Sequence, residues 1–297
     1  MKFKELEKCM LCPRNCGVNR YKTIGYCGSN SDLMISYYSL HMWEEPLISG
    51  DNGSGTIFFT NCNLRCIFCQ NDKISHDGYG KVVSLDRLKE IMLDLQDKGA
   101  HNINLVTPTH YVPHIASVLQ NIKYKELKIP VIYNTSSYEN INTIQMMDGL
   151  VDVYLADFKY FDNNLGFKYS KCNNYRDVAI NSIDEMYKQI GDIVIEDNLI
   201  KRGLIVRILL LPGEVIDAKN IIKYLYDKYK DKIIISIMNQ YTPIKEFEYD
   251  NLNRKVSNKE YDELINYAYD IGVRNAFIQD GDTQDESFIP DFDINIV

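Results

Sequence analysis

The sequence predicts an α/β protein built on a parallel sheet, and three observations carry that expectation. Six short apolar runs recur after residue 50: GTIFFTN (55–61), NINLVT (102–107), PVIYNTS (130–136), DVYLADFK (152–159), LIVRILLL (204–211) and KIIISIMN (232–239). They are apolar on both parities, which suits parallel strands covered on both faces. Between them lie stretches with helical spacing, such as LDRLKEIMLDLQDKG and DAKNIIKYLYDKYK, so successive strands read as right-handed βαβ units. Such a chain forms an open sheet or a complete or partial (β/α) barrel, and its functional side chains belong at the C-terminal ends of the strands.

Composition narrows the setting. A chain of 297 residues, 45% hydrophobic and 25% charged, buries a full core as one large domain or two small ones. The opening MKFKELEK alternates charge without an apolar core, and no run of about 18 apolar residues follows, so a cytoplasmic protein outside the membrane is expected. A formal net charge of -8 argues against a nucleic-acid partner held through its phosphates. Residues 1–50 hold four cysteines and many turn formers with little periodicity, so they are expected to form a small cysteine-rich segment stapled by a metal, ahead of a main domain over 51–297. Asp51-Asn52-Gly53-Ser54-Gly55 precedes a strand and lacks the Lys and Ser/Thr of a phosphate loop, so it reads as a tight entry turn.

Seven of the eight cysteines fall in two clusters, the usage of metal ligands rather than of a disulfide framework. Cys62, Cys66 and Cys69, spaced C-x3-C-x2-C, follow the first β run directly. One short loop can wrap three thiolates around an iron–sulfur cube, and the next cysteine is Cys172, so one iron would stay open as a catalytic zinc site keeps a position for its substrate. The alternatives are three buried thiols or a zinc knuckle borrowing His76. Cys9, Cys12, Cys16 and Cys27 make a closed set of four, suited equally to structural zinc or to an auxiliary iron–sulfur cluster. An iron–sulfur electron carrier would not need six β/α units, and a zinc-stabilised binding protein explains Cys9 to Cys27 but leaves Cys62, Cys66 and Cys69 without a purpose.

CNLRCIFC, after a strand and with an aromatic before its last cysteine, resembles the signature of the radical S-adenosylmethionine (SAM) superfamily. HMWEEPLISGDNGSGTIFFTNCNLRCIFCQN and NINLVTPTHYVPHI further resemble its pyruvate formate-lyase activating-enzyme-like group, from about residue 9 to residue 245. The resemblance implies a partial (β/α)6 TIM-like barrel and a 4Fe-4S cluster on Cys62, Cys66 and Cys69, with SAM chelating the open iron. It implies an oxidoreductase working anaerobically: an electron from a donor such as flavodoxin or ferredoxin cleaves SAM, and the deoxyadenosyl radical abstracts hydrogen. The substrate would be a glycine or other residue of a protein or peptide partner, or a small molecule.

The remaining strand ends then read as the SAM and substrate pocket. Relatives often end the second strand in Gly-Gly-Glu, which grips the SAM amino group; here Thr107-Pro108-Thr109-His110 stands instead, with no carboxylate, and His110 could equally cap the next helix. Asn134 and Ser136, in the run Asn134 to Ser137, suit a ribose or carboxylate, or else an N-cap. Asp157 and Lys159 lie two apart and point the same way, as a pocket pair like the D-x-K of activating enzymes or as a plain salt bridge. Arg207, amid LIV-R-ILLL, needs a carboxylate if buried, supplied by SAM or by Asp157. Asn239, Gln240 and Tyr241 end the sixth strand near a substrate entrance, and Cys172 is a lone thiol or a substrate-facing group.

Overall fold

The structure is a computed structural model and describes residues 2–279. Its strands are β1 (Met34–His41), β2 (Ser54–Phe59), β3 (Lys81–Val82), β4 (Ile103–Val106), β5 (Val131–Thr135), β6 (Val153–Asp157), β7 (Val194–Glu196), β8 (Leu199–Leu209), β9 (Ile234–Met238) and β10 (Ala276–Ile278). The helices are α1 (Pro46–Ser49), α2 (Asp72–Ser75), α3 (Leu85–Asp97), α4 (Val112–Ile122), α5 (Ile141–Gln145), α6 (Asn163–Ser170), α7 (Tyr175–Ile190), α8 (Val215–Tyr229) and α9 (Asn258–Asp270). All six expected strands are present, as β2, β4, β5, β6, β8 and β9.

These six lie side by side in chain order and parallel, the arrangement of a (β/α) barrel, and β10 continues the series beside β9. The sheet does not close: its path runs from β10 to β3. The open question of sheet or barrel therefore resolves to a partial barrel. The edge beyond β2 is occupied by β1, which pairs antiparallel with β2. Sequence reading finds no strand in residues 1–50 because β1 buries its residues without a clean period of two, and its ladder partner lies further along the chain.

Alternate strand residues feed two cores. Ile57, Leu105, Tyr133, Tyr154, Val206 and Ile235 pack with helix residues such as Leu88, Leu119, Ile183 and Ile222 in the main cluster. Ile132, Val153, Leu155, Ile205 and Ile234 form a separate cluster on the other face, where Ile48 of α1 plugs it. Above that plug the inner face turns polar, because the parallel register sets Asp157 opposite Arg207 and Arg207 opposite Ser236. Three neighbouring strands thus present three polar side chains on one level of a face that is apolar below.

Residues 2–33 contain one short 3-10 helix, Lys4–Leu6, and otherwise no helix or strand. A small cluster of Leu6, Cys9 and Leu11, backed by Phe3, Val18 and Tyr21, holds them together. Arg14 and Arg20 are among the side chains that tie the segment to the domain, Arg20 through the His110 carbonyl. The Arg14 guanidinium donates to the carbonyls of Asn63 (3.0 Å) and Leu64 (3.0 Å) in the loop after β2, and to those of Ser170 and Lys171 (2.6 Å each) after α6. Four carbonyls on one side chain join the N-terminal cysteines to the loop that bears Cys62, Cys66 and Cys69.

Candidate active site

A cavity of about 440 Å³ opens at the C-terminal ends of the parallel strands. Cys62, Cys66 and Cys69 form one wall; Asn134, Ser136, Asp157, Lys159 and Arg207 form another. The cysteine loop leaves β2 through Asn61 and turns again at Arg65, both in the left-handed region (φ 75 and φ 55). The Leu64 N–H points at Cys62 Sγ (3.4 Å), and the Ser75 hydroxyl at Cys69 Sγ (3.3 Å). Burial, then the neighbouring charge of Cys66, pushes the Cys62 thiol up to about 12. The same two causes raise Cys69.

Cys62 and Cys69, whose thiols resist ionisation because they are buried beside Cys66, are suited to a group that brings positive charge. Among the described residues no three His, Cys, Asp or Glu side chains converge as ligands of a single ion. Cysteines around an iron–sulfur cube each meet a different iron, so three thiols spread along a cavity wall fit that group better than they fit one ion.

The N-terminal cysteines are also mutual neighbours. Burial raises Cys9 and Cys12, and the charge of Cys16 acts on Cys9 while those of Cys27 and Cys9 act on Cys12. A Cβ placed on Gly25 would stand 3.5 Å from Cys27 Sγ and 3.6 Å from Cys16 Sγ.

Opposite the cysteine wall, Arg207 organises a buried ion network. Its Nε donates to Asp157 (2.7 Å), Nη1 to Glu44 (3.2 Å) and Nη2 to Asn134 (2.8 Å). Lys159 Nζ donates to the second Asp157 oxygen (2.8 Å), and Asn104 Nδ2 to the second Glu44 oxygen (2.9 Å). Burial pushes the Asp157 carboxyl up, but Arg207 and Lys159 outweigh it and hold it below the usual carboxylate range. For Glu44 and Glu45 burial wins, and both are raised despite Arg207. Glu44 and Glu45 are missed by sequence reading, and both line the cavity. The signal for Glu44 was Arg207 itself, a strand cation that needs more acceptors than Asp157 alone provides; nothing in the sequence singles out Glu45.

The strand-end segment after β4 divides. Thr107 lines the cavity, with φ 58. Thr109 and His110 do not line it: Thr109 Oγ1 donates to Glu139 Oε1 (2.6 Å), and His110 Nε2 meets the Thr60 carbonyl (2.8 Å). Burial, then Arg20, pushes the His110 imidazole down to about 3, so it is neutral. Thr107 turns the chain, and the residues after Pro108 enter a 3-10 turn (Thr109–Tyr111) that is buried throughout. Gln240 lines the cavity. The Asn239 N–H donates to Gln279 (2.8 Å), and Tyr241 is buried with its hydroxyl on the Leu252 carbonyl (2.7 Å). Cys172 is buried outside the cavity, its thiol toward the Gly166 carbonyl (3.4 Å), and His76 pairs with Ser75 (2.9 Å).

Glu139, just behind this wall, is a strained acid. Its Oε1 accepts from Thr109 (2.6 Å), Thr135 (2.5 Å) and Tyr133 (3.4 Å), while buried Oε2 has no partner. Burial pushes this carboxyl up to about 7, against its three hydroxyl donors. A folded value above the unfolded one removes stability as pH rises from about 4.5 through 7. Glu139→Gln keeps the Oε1 acceptor, so it is expected to stabilise the protein at pH 8 by about 2–3 kcal/mol and to have little effect at pH 5. Urea unfolding at both values checks this; an equal change at both would contradict it.

Residues 56–225 match the Radical SAM superfamily. An uncharacterized protein of Methanocaldococcus jannaschii, MJ0674, is 31% identical over 274 residues, covering 88% of this chain and 74% of that protein. Among solved structures, Streptococcus suis SuiB bound to precursor peptide SuiA is similar in fold (TM-score 0.50, 14% identity, 74% of this chain and 46% of SuiB). Methylornithine synthase gives TM-score 0.48 at 15% identity over 70% of this chain and 59% of its own. The chain thus spans about half the length of these two structures. No helix among the described residues is long and apolar enough to cross a membrane. The chain belongs to the radical SAM superfamily, and with that membership come a 4Fe-4S cluster and S-adenosylmethionine.

Proposed function

We propose that Cys62, Cys66 and Cys69 hold the 4Fe-4S cluster, and that SAM occupies the cavity between them and the Asp157–Arg207 network. The observation that supports this most is that the three thiols share one cavity of about 440 Å³ with Thr107, Asn134, Ser136, Asp157, Lys159 and Arg207. That volume falls in the range of about 300–1,000 Å³ usual for small ligands. When bound, the cluster would supply the one electron for reductive cleavage of SAM, the source of the hydrogen-abstracting chemistry. The chain's own residues provide placement and dryness. Lys159 suits the SAM carboxylate, being a buried ammonium that Asp157 keeps charged. Thr107 and Asn134 offer polar atoms to the amino and ribose groups.

The enzyme is read as activating-enzyme-like, abstracting hydrogen from a residue of a protein or peptide. Support for a peptide is the open mouth of the cavity and the shared fold with SuiB, which binds its precursor peptide. Cys9, Cys12, Cys16 and Cys27 are read as a second, structural metal site, zinc or iron–sulfur. It would brace residues 1–50 and, through Arg14, the cluster loop. Iron and zinc counts after anaerobic reconstitution separate the two metals.

The test of the reaction is 5′-deoxyadenosine. Reconstituted protein given dithionite and SAM is expected to form it, and its absence with a full cluster count would refute the reading.

A further inference from the structure

Part of the cavity lining is not assigned to the proposed SAM site. It is built by the connection from β1 to α1 and by the tops of β9 and β10, with Trp43, Glu45, Ser236, Met238 and Phe277 on its wall. Glu45 stands out there. Its Oε2 is buried and has no hydrogen-bond partner. The neighbouring cation, Arg207, has its three nitrogens engaged by Asp157, Glu44 and Asn134. Among the lining residues, the three carboxylates of Glu44, Glu45 and Asp157 face only the two cations of Lys159 and Arg207. His41 also lines this part, but burial and then Arg207 hold its imidazole below the usual range, so it supplies no positive charge.

A buried carboxyl oxygen left bare is costly, and Glu45, unlike Glu139, holds its bare oxygen on a residue that lines the cavity, where a ligand can complete it. We propose that this part of the cavity binds a primary ammonium or guanidinium carried on an apolar stem. The charge would rest on Glu45, and the stem on Trp43, Met238 and Phe277. An anion would face three carboxyl groups, and a bare metal ion would lack a convergent ligand set. That the cation belongs to the enzyme's substrate rests on the radical-enzyme reading; that it binds here does not.

Trp43 is the chain's single tryptophan, and it is 66% exposed at this wall, so its fluorescence reports on the site. The probes are Nα-acetyl-lysine methylamide and its neutral counterpart Nα-acetyl-norleucine methylamide, titrated into the reconstituted full chain, with n-hexylamine as the free amine. The lysine probe is expected to give a saturable change at least about tenfold tighter than the norleucine probe. Glu45→Gln is expected to remove most of that difference. Circular dichroism and the cluster iron content serve as the check that the variant is folded.

Tighter binding of the lysine probe than of n-hexylamine supports a peptide-borne cation; the reverse supports a free amine. Equal binding of the lysine and norleucine probes would overturn the proposal. So would a Glu45→Gln protein that binds the lysine probe as wild type does, or one that loses its response to SAM as well, since Glu45 would then belong to the SAM site. If wild type binds the lysine probe but its cluster ignores SAM, the radical-enzyme reading fails and the cation site stands.

Discussion

Cys66→Ala protein, reconstituted and reduced as wild type is, yields no 5′-deoxyadenosine above background. The reason is the absence of a spare ligand. Cys62 and Cys69 are the other thiols on the cavity wall. Cys172 lies close enough for the charge of Cys66 to act on it, but its thiol turns to the Gly166 carbonyl and it stays outside the cavity. In the proposed site, two thiolates would leave the cluster without one of its three anchors, and the placement of SAM against it would be lost as well. Because residues that work as a unit fail together, a complete loss is expected rather than a graded one. Quantifying the nucleoside by chromatography decides the matter, and product at a rate near that of wild type would remove Cys66 from the cluster.

The second large effect is on stability. Arg207→Met fills similar volume but leaves the carboxylates around it short of a counter-ion. Asp157 keeps Lys159, whereas Glu44 keeps only the Asn104 amide. Breaking one partner out of a buried ion network costs about 3–5 kcal/mol, which for a domain of this size lowers Tm by roughly 10 °C. The loss depends on pH in a stated direction. Burial already holds Glu44 above the usual carboxylate range with Arg207 opposing it, and removing Arg207 raises it further. A raised folded value withdraws stability as pH climbs above the ordinary glutamate range, so the variant is weakest near pH 8 and recovers toward pH 5. Adding Glu44→Gln to Arg207→Met is expected to restore part of the loss at pH 8. A single variant within about 1 kcal/mol of wild type would show that the network contributes little.

The parts legible in the sequence were local ones. The parallel strands declared themselves because most are short runs buried on both faces, and the loop from Cys62 to Cys69 because its three cysteines sit within eight positions of one another. Asp157 and Lys159 were legible for the same reason, and register brings them beside Arg207. Glu44 was not, since it reaches the network from the β1 to α1 connection and meets Arg207 across 163 positions of the chain, and Glu45 beside it was missed with it. Thr109 and His110 look like pocket residues by position, yet the turn at Thr107 takes them under the wall. There Arg20 of the N-terminal segment donates to the His110 carbonyl (2.5 Å). A strand-end position places a backbone, and the next turn decides where the side chains go.

The account rests on one claim, that the cluster held by Cys62, Cys66 and Cys69 offers an iron to SAM. The most direct measurement is the EPR spectrum of the dithionite-reduced, reconstituted protein before and after SAM is added. The account predicts that the reduced-cluster signal shifts in position and shape when SAM binds, and that this response disappears in Cys66→Ala. A wild-type spectrum that stays the same at saturating SAM, with the cluster reduced and its iron content complete, would contradict it.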